Sequence, residues 1–277
     1  VALRGRPDLA ILVVNEVERN QVRRFMNGKS KSVTPNEASK TAGVSGHSDK
    51  PVARSADRDV ADFIEKIKNL TPAAPGQRGR LIFAMDATMS RQPTWDMALA
   101  IQSEMFEVVK ATGGLDVQLV YFRGAGECRT SKWVSDPDAL ARLMRSVACQ
   151  GGYTQIGKVL NHAHSETSKH RVNALVYVGD AFEEDIDAVC GRAGELALLG
   201  VPVFLFQEGN DAHTAAGYRE IARLTKGAHC RFDAGAARQL RDLIRAVAVY
   251  ASGGRNALLS LASREKGGAA QRLLEQL

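Results

Sequence analysis

The sequence predicts an α/β fold: a doubly wound, mostly parallel sheet with helices on both faces. Three observations carry that expectation. From residue 80 to near residue 250, short apolar runs alternate with segments whose apolar residues recur at helical spacing. The run Leu81–Met85 is apolar throughout, as befits a strand covered on both faces. A second apolar run, Ala174–Val178, repeats the same theme, and both end in an acid, Asp86 and Asp180.

Taken in order, residues 8–26 read as a helix, with Leu9, Leu12, Val13 and Val17 on one face. Residues 27–56 form a polar, Gly/Ser-rich stretch with too little apolar surface to order itself, so a linker is expected. A short amphipathic helix opens at Asp57. Val60, Phe63, Ile64, Ile67 and Leu70 make its stripe, which needs a surface to dock on. The strand at 81–86 follows, then a helix from Ser90 to near Thr112, stopped by Gly113-Gly114. Val117–Phe122 is the second strand, and Glu127–Thr130 a short partner across a turn made by Gly124 and Gly126. Helices are expected from Pro137 to near Ala148 and from Gln155 to near Lys169. After the strand at 174–178 come a helix at 185–199, the strand Val201–Phe206, a helix at 213–225, the strand His229–Phe232 and a closing helix from Ala236 to Tyr250. Gly253-Gly254 and Gly267-Gly268 segment a tail in which Leu273, Leu274 and Leu277 suit a docking helix. The expected organisation is therefore a basic arm over 1–56, a docking helix and linker over 57–79, the α/β domain over 80–250 and a tail over 251–277.

Charge sharpens this division. The chain carries +6 overall, yet residues 1–80 hold 15 Lys/Arg against 9 Asp/Glu and residues 251–277 hold 4 against 2. The basicity lies in the arms. Apart from isolated Phe25 and Phe63, no aromatic residues interleave those charges for base stacking, which argues against nucleic acid as the partner. The apolar run Leu9–Val14 is too short to span a bilayer. Four cysteines without CxxC spacing signal neither a zinc site nor a disulfide framework, so a cytoplasmic setting with reduced thiols is expected.

The candidate functional residues lie beyond the carboxyl ends of the predicted strands, where open α/β sheets bind ligands. Asp86, Thr88 and Ser90 place three oxygen-bearing side chains at alternate positions. Such donors suit a hard cation such as Mg²⁺ better than zinc. The bland reading is a capped helix start, with Thr88 or Ser90 as N-cap. Thr154, after Gly151-Gly152, and Asp180 bring two further oxygens to the same sheet edge. This constellation resembles the von Willebrand factor A (VWA) family and its metal-ion-dependent adhesion site (MIDAS), written Asp-x-Ser-x-Ser with a distant Thr and a distant Asp. The resemblance covers residues 80–250, including the order of elements, and makes the fold VWA-like, a Rossmann-like sheet. It implies that Asp86, Thr88, Ser90, Thr154 and Asp180 are metal ligands, with Thr88 replacing the usual first Ser. Thr keeps the hydroxyl but stiffens χ1.

The resemblance further implies a non-enzymatic module. Its Mg²⁺, with Mn²⁺ and Ca²⁺ as compatible substitutes, would take an Asp or Glu carboxylate from a partner protein. Intracellular members of the family point to ATPases or chaperone-type machines as partners, although no residue here names one. Gly151 and Gly152 are expected to let the Thr154 backbone approach the ion, while Asp96 and Glu183-Glu184-Asp185 suit either the site or solvated helix starts. The alternative is a Mg²⁺-dependent phosphohydrolase with Asp86 as nucleophile. A haloacid dehalogenase-like enzyme, however, carries a second acid two residues on, where this chain has Thr88. His162 and His164 sit two apart on a predicted helix and face different ways, as do His229 and Cys230 on a strand. Cys149 is expected to be a buried structural thiol.

Overall fold

A computed structural model describes residues 11–13, 78–109 and 114–264. Among the described residues, seven strands form one sheet: β1 (Ile11–Val13), β2 (Gly79–Asp86), β3 (Leu115–Arg123), β4 (Glu127–Ser131), β5 (Ala174–Gly179), β6 (Val203–Glu208) and β7 (Ala228–Phe232). Their spatial order is β1-β4-β3-β2-β5-β6-β7. Strands β2, β3, β5, β6 and β7 run parallel, whereas β4 pairs antiparallel with β3, and β1 antiparallel with β4. Between them lie α1 (Gln92–Ile101), α2 (Ser103–Val109), α3 (Pro137–Arg145), α4 (Ile156–Lys169), α5 (Ile186–Leu198), α6 (Ala212–Leu224) and α7 (Ala237–Arg264).

The alternation of side chains along the central strand divides the core into two layers. Leu81, Phe83 and Met85 face one layer, with Trp95 and Ala98 of α1, Met105 of α2, Leu140 of α3 and Leu243 and Val247 of α7. Ile82 and Ala84 face the other, with Val159 and Leu160 of α4, Val189 and Leu196 of α5 and Tyr218 and Ile221 of α6. Helices thus cover both faces, which is why β2 and β5 read as unbroken apolar runs. Trp95 fastens α1 to its layer: its indole N–H donates to the Met144 carbonyl at 3.1 Å, and its ring meets Tyr121 edge-on. Among the described residues, no helix is long and apolar enough to cross a membrane.

Three expectations are corrected. Ile11–Val13, inside the stretch expected as a helix over 8–26, is a strand. Two of its three residues are β-branched, and β4 offers an unpaired edge that any extended segment can satisfy. The rest of 8–26, the linker over 27–56, the helix over 57–70 and the tail beyond 264 lie outside the described residues. The helix expected from Ser90 to Thr112 is divided: a 3₁₀ turn over Met89–Arg91 leads into α1, and α2 restarts at Ser103 after buried Gln102. The closing helix does not stop at Tyr250. Helical structure runs to Arg264, interrupted by a kink at Gly254, whose φ of 65° suits a residue without Cβ.

Candidate metal centre

Strand β2 lies between β3 and β5, so the chain leaves it toward β3 on one side and returns to β5 on the other. At such a switch point the loops diverge and open a crevice above the strand ends. Asp86 ends β2, and Asp180 directly follows β5, its parallel neighbour. The topology therefore places the two acids side by side.

Asp86 is only 2% exposed. Its Oδ1 accepts the Thr88 amide N–H at 2.7 Å, a turn that folds the loop back over the strand end. Burial raises this carboxyl to about 6. The Thr88 bonds and Arg91 pull it down, while the Asp180 carboxylate adds to the rise. The anion is held in a site that solvates it poorly. Thr88 is extended at the start of the 3₁₀ turn and makes no capping bond, Ser90 lies inside that turn, and Arg91 is the residue that precedes α1, so neither hydroxyl caps the helix. Its hydroxyl lies 3.5 Å from that of exposed Ser90. These two oxygens are thus grouped beside the buried acid.

The loop bearing Thr154 is tied to this edge from below. Gln150 N–H donates to the Ala87 carbonyl at 3.0 Å, and Tyr153 N–H to the Gly124 carbonyl at 3.2 Å. Thr154 and Glu183 bond reciprocally: the Thr154 amide donates to Glu183 Oε2 at 2.9 Å, and the Thr154 hydroxyl accepts the Glu183 amide at 3.0 Å. That hydroxyl keeps one lone pair free. The glycines have a role different from the one expected. Gly152 is pressed against Gly124, whereas Gly151 faces open space, so the pair fits the loop to the β3–β4 turn.

Two residues that sequence reasoning missed complete the edge. Arg91, 5% exposed, extends Nη1 to Asp180 Oδ2 at 2.9 Å. Its Nη2 engages Glu208, at the end of β6, and Thr94. Glu208 repeats the pattern of an apolar strand ending in an acid and was legible in that sense, whereas a lone arginine at a helix start gives no such signal. Arg91 thus pairs with Asp180 and Glu208, while Asp86 feels its charge without a direct contact. The formal balance is two negative charges.

The remaining candidates have other roles. Glu184 accepts the Ile156 and Gly157 amides at the start of α4, and Asp185 caps α5 through the Ala188 amide at 2.8 Å. Asp96 is exposed and accepts from Gln92 at 2.8 Å. Cys149 is buried near Asp86, and burial pushes its thiol up, which makes it a poor nucleophile at neutral pH. His162 pairs with Gln118 and His229 with Gln207. Among the described residues, no three His, Cys, Asp or Glu side chains converge as a metal cluster. A cation at this edge would depend on hydroxyl ligands as well as on the two acids. Oxygen-only donors, a desolvated carboxylate and a surplus of two negative charges fit a hard divalent ion.

No family model matches the chain, and no curated protein does. Solved structures do match. A von Willebrand factor type A protein from Catenulispora acidiphila is 13% identical with a TM-score of 0.54, over 64% of this chain and 43% of that one. The pilus adhesin SpaC from Lactobacillus rhamnosus GG is 11% identical, with a TM-score of 0.52 over 69% and 31%. Proximal thread matrix protein 1 from the mussel byssus, in a structure with a zinc-occupied MIDAS motif, is 16% identical, with a TM-score of 0.50 over 63% and 48%. The aligned region spans less than half the length of each of these proteins. The likeness shows a VWA fold.

Proposed function

We propose that this domain is a divalent-cation-dependent protein-binding module. Asp86, Thr88, Ser90, Thr154 and Asp180 would hold the ion, preferentially Mg²⁺, and the ion would capture an Asp or Glu carboxylate of a partner protein. The observation that carries this reading is the buried Asp86 carboxylate at the switch point, inside a cluster whose formal charge is short by one divalent cation. The zinc-occupied MIDAS of the mussel protein, which shares the fold, supports it. Two neutral hydroxyls and a third from Thr154 would leave a bound ion electrophilic, ready for an anionic ligand.

The rim fits a protein partner. Met89, 63% exposed, sits between Thr88 and Ser90, and Tyr153, 65% exposed, precedes Thr154. Two large apolar side chains flanking an ion suit an acidic residue with an apolar neighbour. None of the four cysteines forms a disulfide, consistent with a reducing, cytoplasmic setting. Of the partner classes that the resemblance implies, an ATPase or chaperone-type machine, none is selected by a residue at this edge. The basic arm over 1–56 and the tail over 251–277 would contribute to docking beside the domain over 80–250.

Calorimetric titration with Mg²⁺ and Mn²⁺ tests the reading. One site is expected in the wild type and none in Asp86→Ala or Asp180→Ala; unchanged binding in either variant overturns the ligand assignment. The phosphohydrolase alternative forecasts Mg²⁺-dependent release of phosphate from an aryl phosphate, lost in Asp86→Asn. Turnover tracking Asp86 would replace the binding module with an enzyme.

A further inference from the structure

Arg91 lies within the cluster that would receive the ion, and its contacts divide between two acids. Nη1 reaches Asp180 at 2.9 Å and Nη2 reaches Glu208. The arginine side chain is buried, so its contact with Glu208 counts for more than a surface pair, whereas the Asp180 contact is partly open to solvent. Asp180 is the more exposed of the two acids, at 31% against 10% for Glu208. Thr94 also contacts both Arg91 and Glu208, which seats the inner end of the pair.

We propose that Arg91 is an internal competitor for the divalent ion at Asp180, with Glu208 as the partner it keeps when Asp180 is released. This rests on the metal-site reading above and adds a specificity-determining pair to it. Without an ion, the guanidinium neutralises Asp180 and holds one carboxylate oxygen away from the site. When an ion arrives, Asp180 turns from Arg91 toward it. The buried guanidinium is not stranded, because Nη2 stays with Glu208 and Thr94; an unpaired buried cation would otherwise oppose the exchange. Arg91 thereby lowers the affinity for the ion, and Glu208 restores part of it.

Mg²⁺ affinity and an arginine side-chain resonance together test this in the full chain. Arg91→Met removes the competitor and should tighten Mg²⁺ binding by about tenfold or more, as expected for one nearby charge at partial burial. Glu208→Gln leaves Arg91 with Asp180 as its charged partner and should weaken binding by about the same factor. The opposite signs separate competition from a merely structural role, which would weaken binding in both variants. Because Arg91→Met removes a buried ion pair and can unfold the domain, the wild type supplies an independent readout. With ¹⁵N-labelled arginine, the Arg91 Nη resonances should shift on Mg²⁺ addition while those of exposed Arg223 stay in place. If Mg²⁺ binds the wild type but the Arg91 resonances do not move and Glu208→Gln binds equally well, the competition is overturned and the metal site stands. If the wild type binds no Mg²⁺, the metal-site reading fails first.

Discussion

Gly152 is packed against Gly124 so closely that a Cβ on it would lie 2.2 Å from the Gly124 amide nitrogen and 2.5 Å from its carbonyl oxygen. The two residues form a parallel bridge between the β3–β4 turn and the loop that carries Thr154. A clash with backbone cannot be relieved by a rotamer change. Gly152→Ala must push the loop off the turn, and a cost of about 2 kcal/mol or more is expected from overpacking. Gly151 faces open space, so Gly151→Ala should stay within about 0.5 kcal/mol of the wild type. Urea denaturation of both variants checks the contrast. Equal stability would mean that the bridge does not hold the loop.

The burial of Asp86 costs the folded protein stability. Its carboxylate is buried beside Asp180, and only the Thr88 bonds and Arg91 offset that burial. Asp86→Asn keeps an acceptor for the Thr88 amide and deletes the desolvated charge. In the presence of EDTA at neutral pH the variant should be more stable than the wild type, by about 2 kcal/mol. Added Mg²⁺ should stabilise the wild type and leave the variant unchanged. Thermal unfolding with and without Mg²⁺ measures both effects. A destabilised variant in EDTA would show that the carboxylate has a compensating partner in the folded protein.

The parts of the molecule legible in the sequence are those written in local patterns. Leu81–Met85 and Ala174–Val178 have no polar face because helices cover both sides, and an apolar run exposes that directly. The acids at their ends are legible for the same reason, since a charge abruptly following such a run marks where the strand leaves the core. Arg91 shows what the pattern hides. Its burial depends on Asp180 and Glu208, which arrive from strands that follow far later in the chain, and nothing adjacent to position 91 announces them. Ile11–Val13 departs from the expected helix because an apolar triplet suits a helix face or a strand equally, and only the open edge of β4 decides. The role of Gly152 was likewise set by Gly124, a tertiary neighbour 28 positions earlier in the chain.

The proposed hydroxyl ligands can be tested separately from the acids. Thr88→Ser keeps the oxygen beside Ser90 and frees χ1, so ion-dependent capture of a partner should be retained or strengthened. Thr154→Ala removes one oxygen and also the acceptor for the Glu183 amide, and should weaken it by about tenfold. Thr154→Ser retains both functions and should behave as the wild type. Mg²⁺ titration of the three variants, repeated with EDTA as the blank, gives the order. If Thr154→Ala and Thr154→Ser bind the ion equally well, the Thr154 hydroxyl is a structural tie to Glu183 and not a ligand.

His162 provides a pH signature away from the candidate metal centre. It projects from α4 to Gln118 of β3, with Nε2 2.8 Å from Gln118 Oε1, while the Gln118 amide nitrogen donates to the Ser131 carbonyl at 3.0 Å. That orientation presents an acceptor to the histidine, so Nε2 carries the proton of a neutral ring. Burial lowers its pKa from 6.5 to about 4, with Glu166 opposing and Lys169 assisting. Between those values the unfolded chain binds the proton and the folded one does not. The stability contributed by the neutral ring is therefore complete above pH 6.5 and is lost as pH falls toward 4, by about 3 kcal/mol in all. His162→Gln retains a donor for Gln118 and cannot titrate. Other groups, Asp86 among them, titrate in the same window and are common to both proteins. The difference in unfolding free energy between wild type and His162→Gln, followed from pH 7 to pH 4 in EDTA, isolates the histidine. It should move toward the variant as pH falls, and a difference that stays constant across the window would show that the ring is not held neutral.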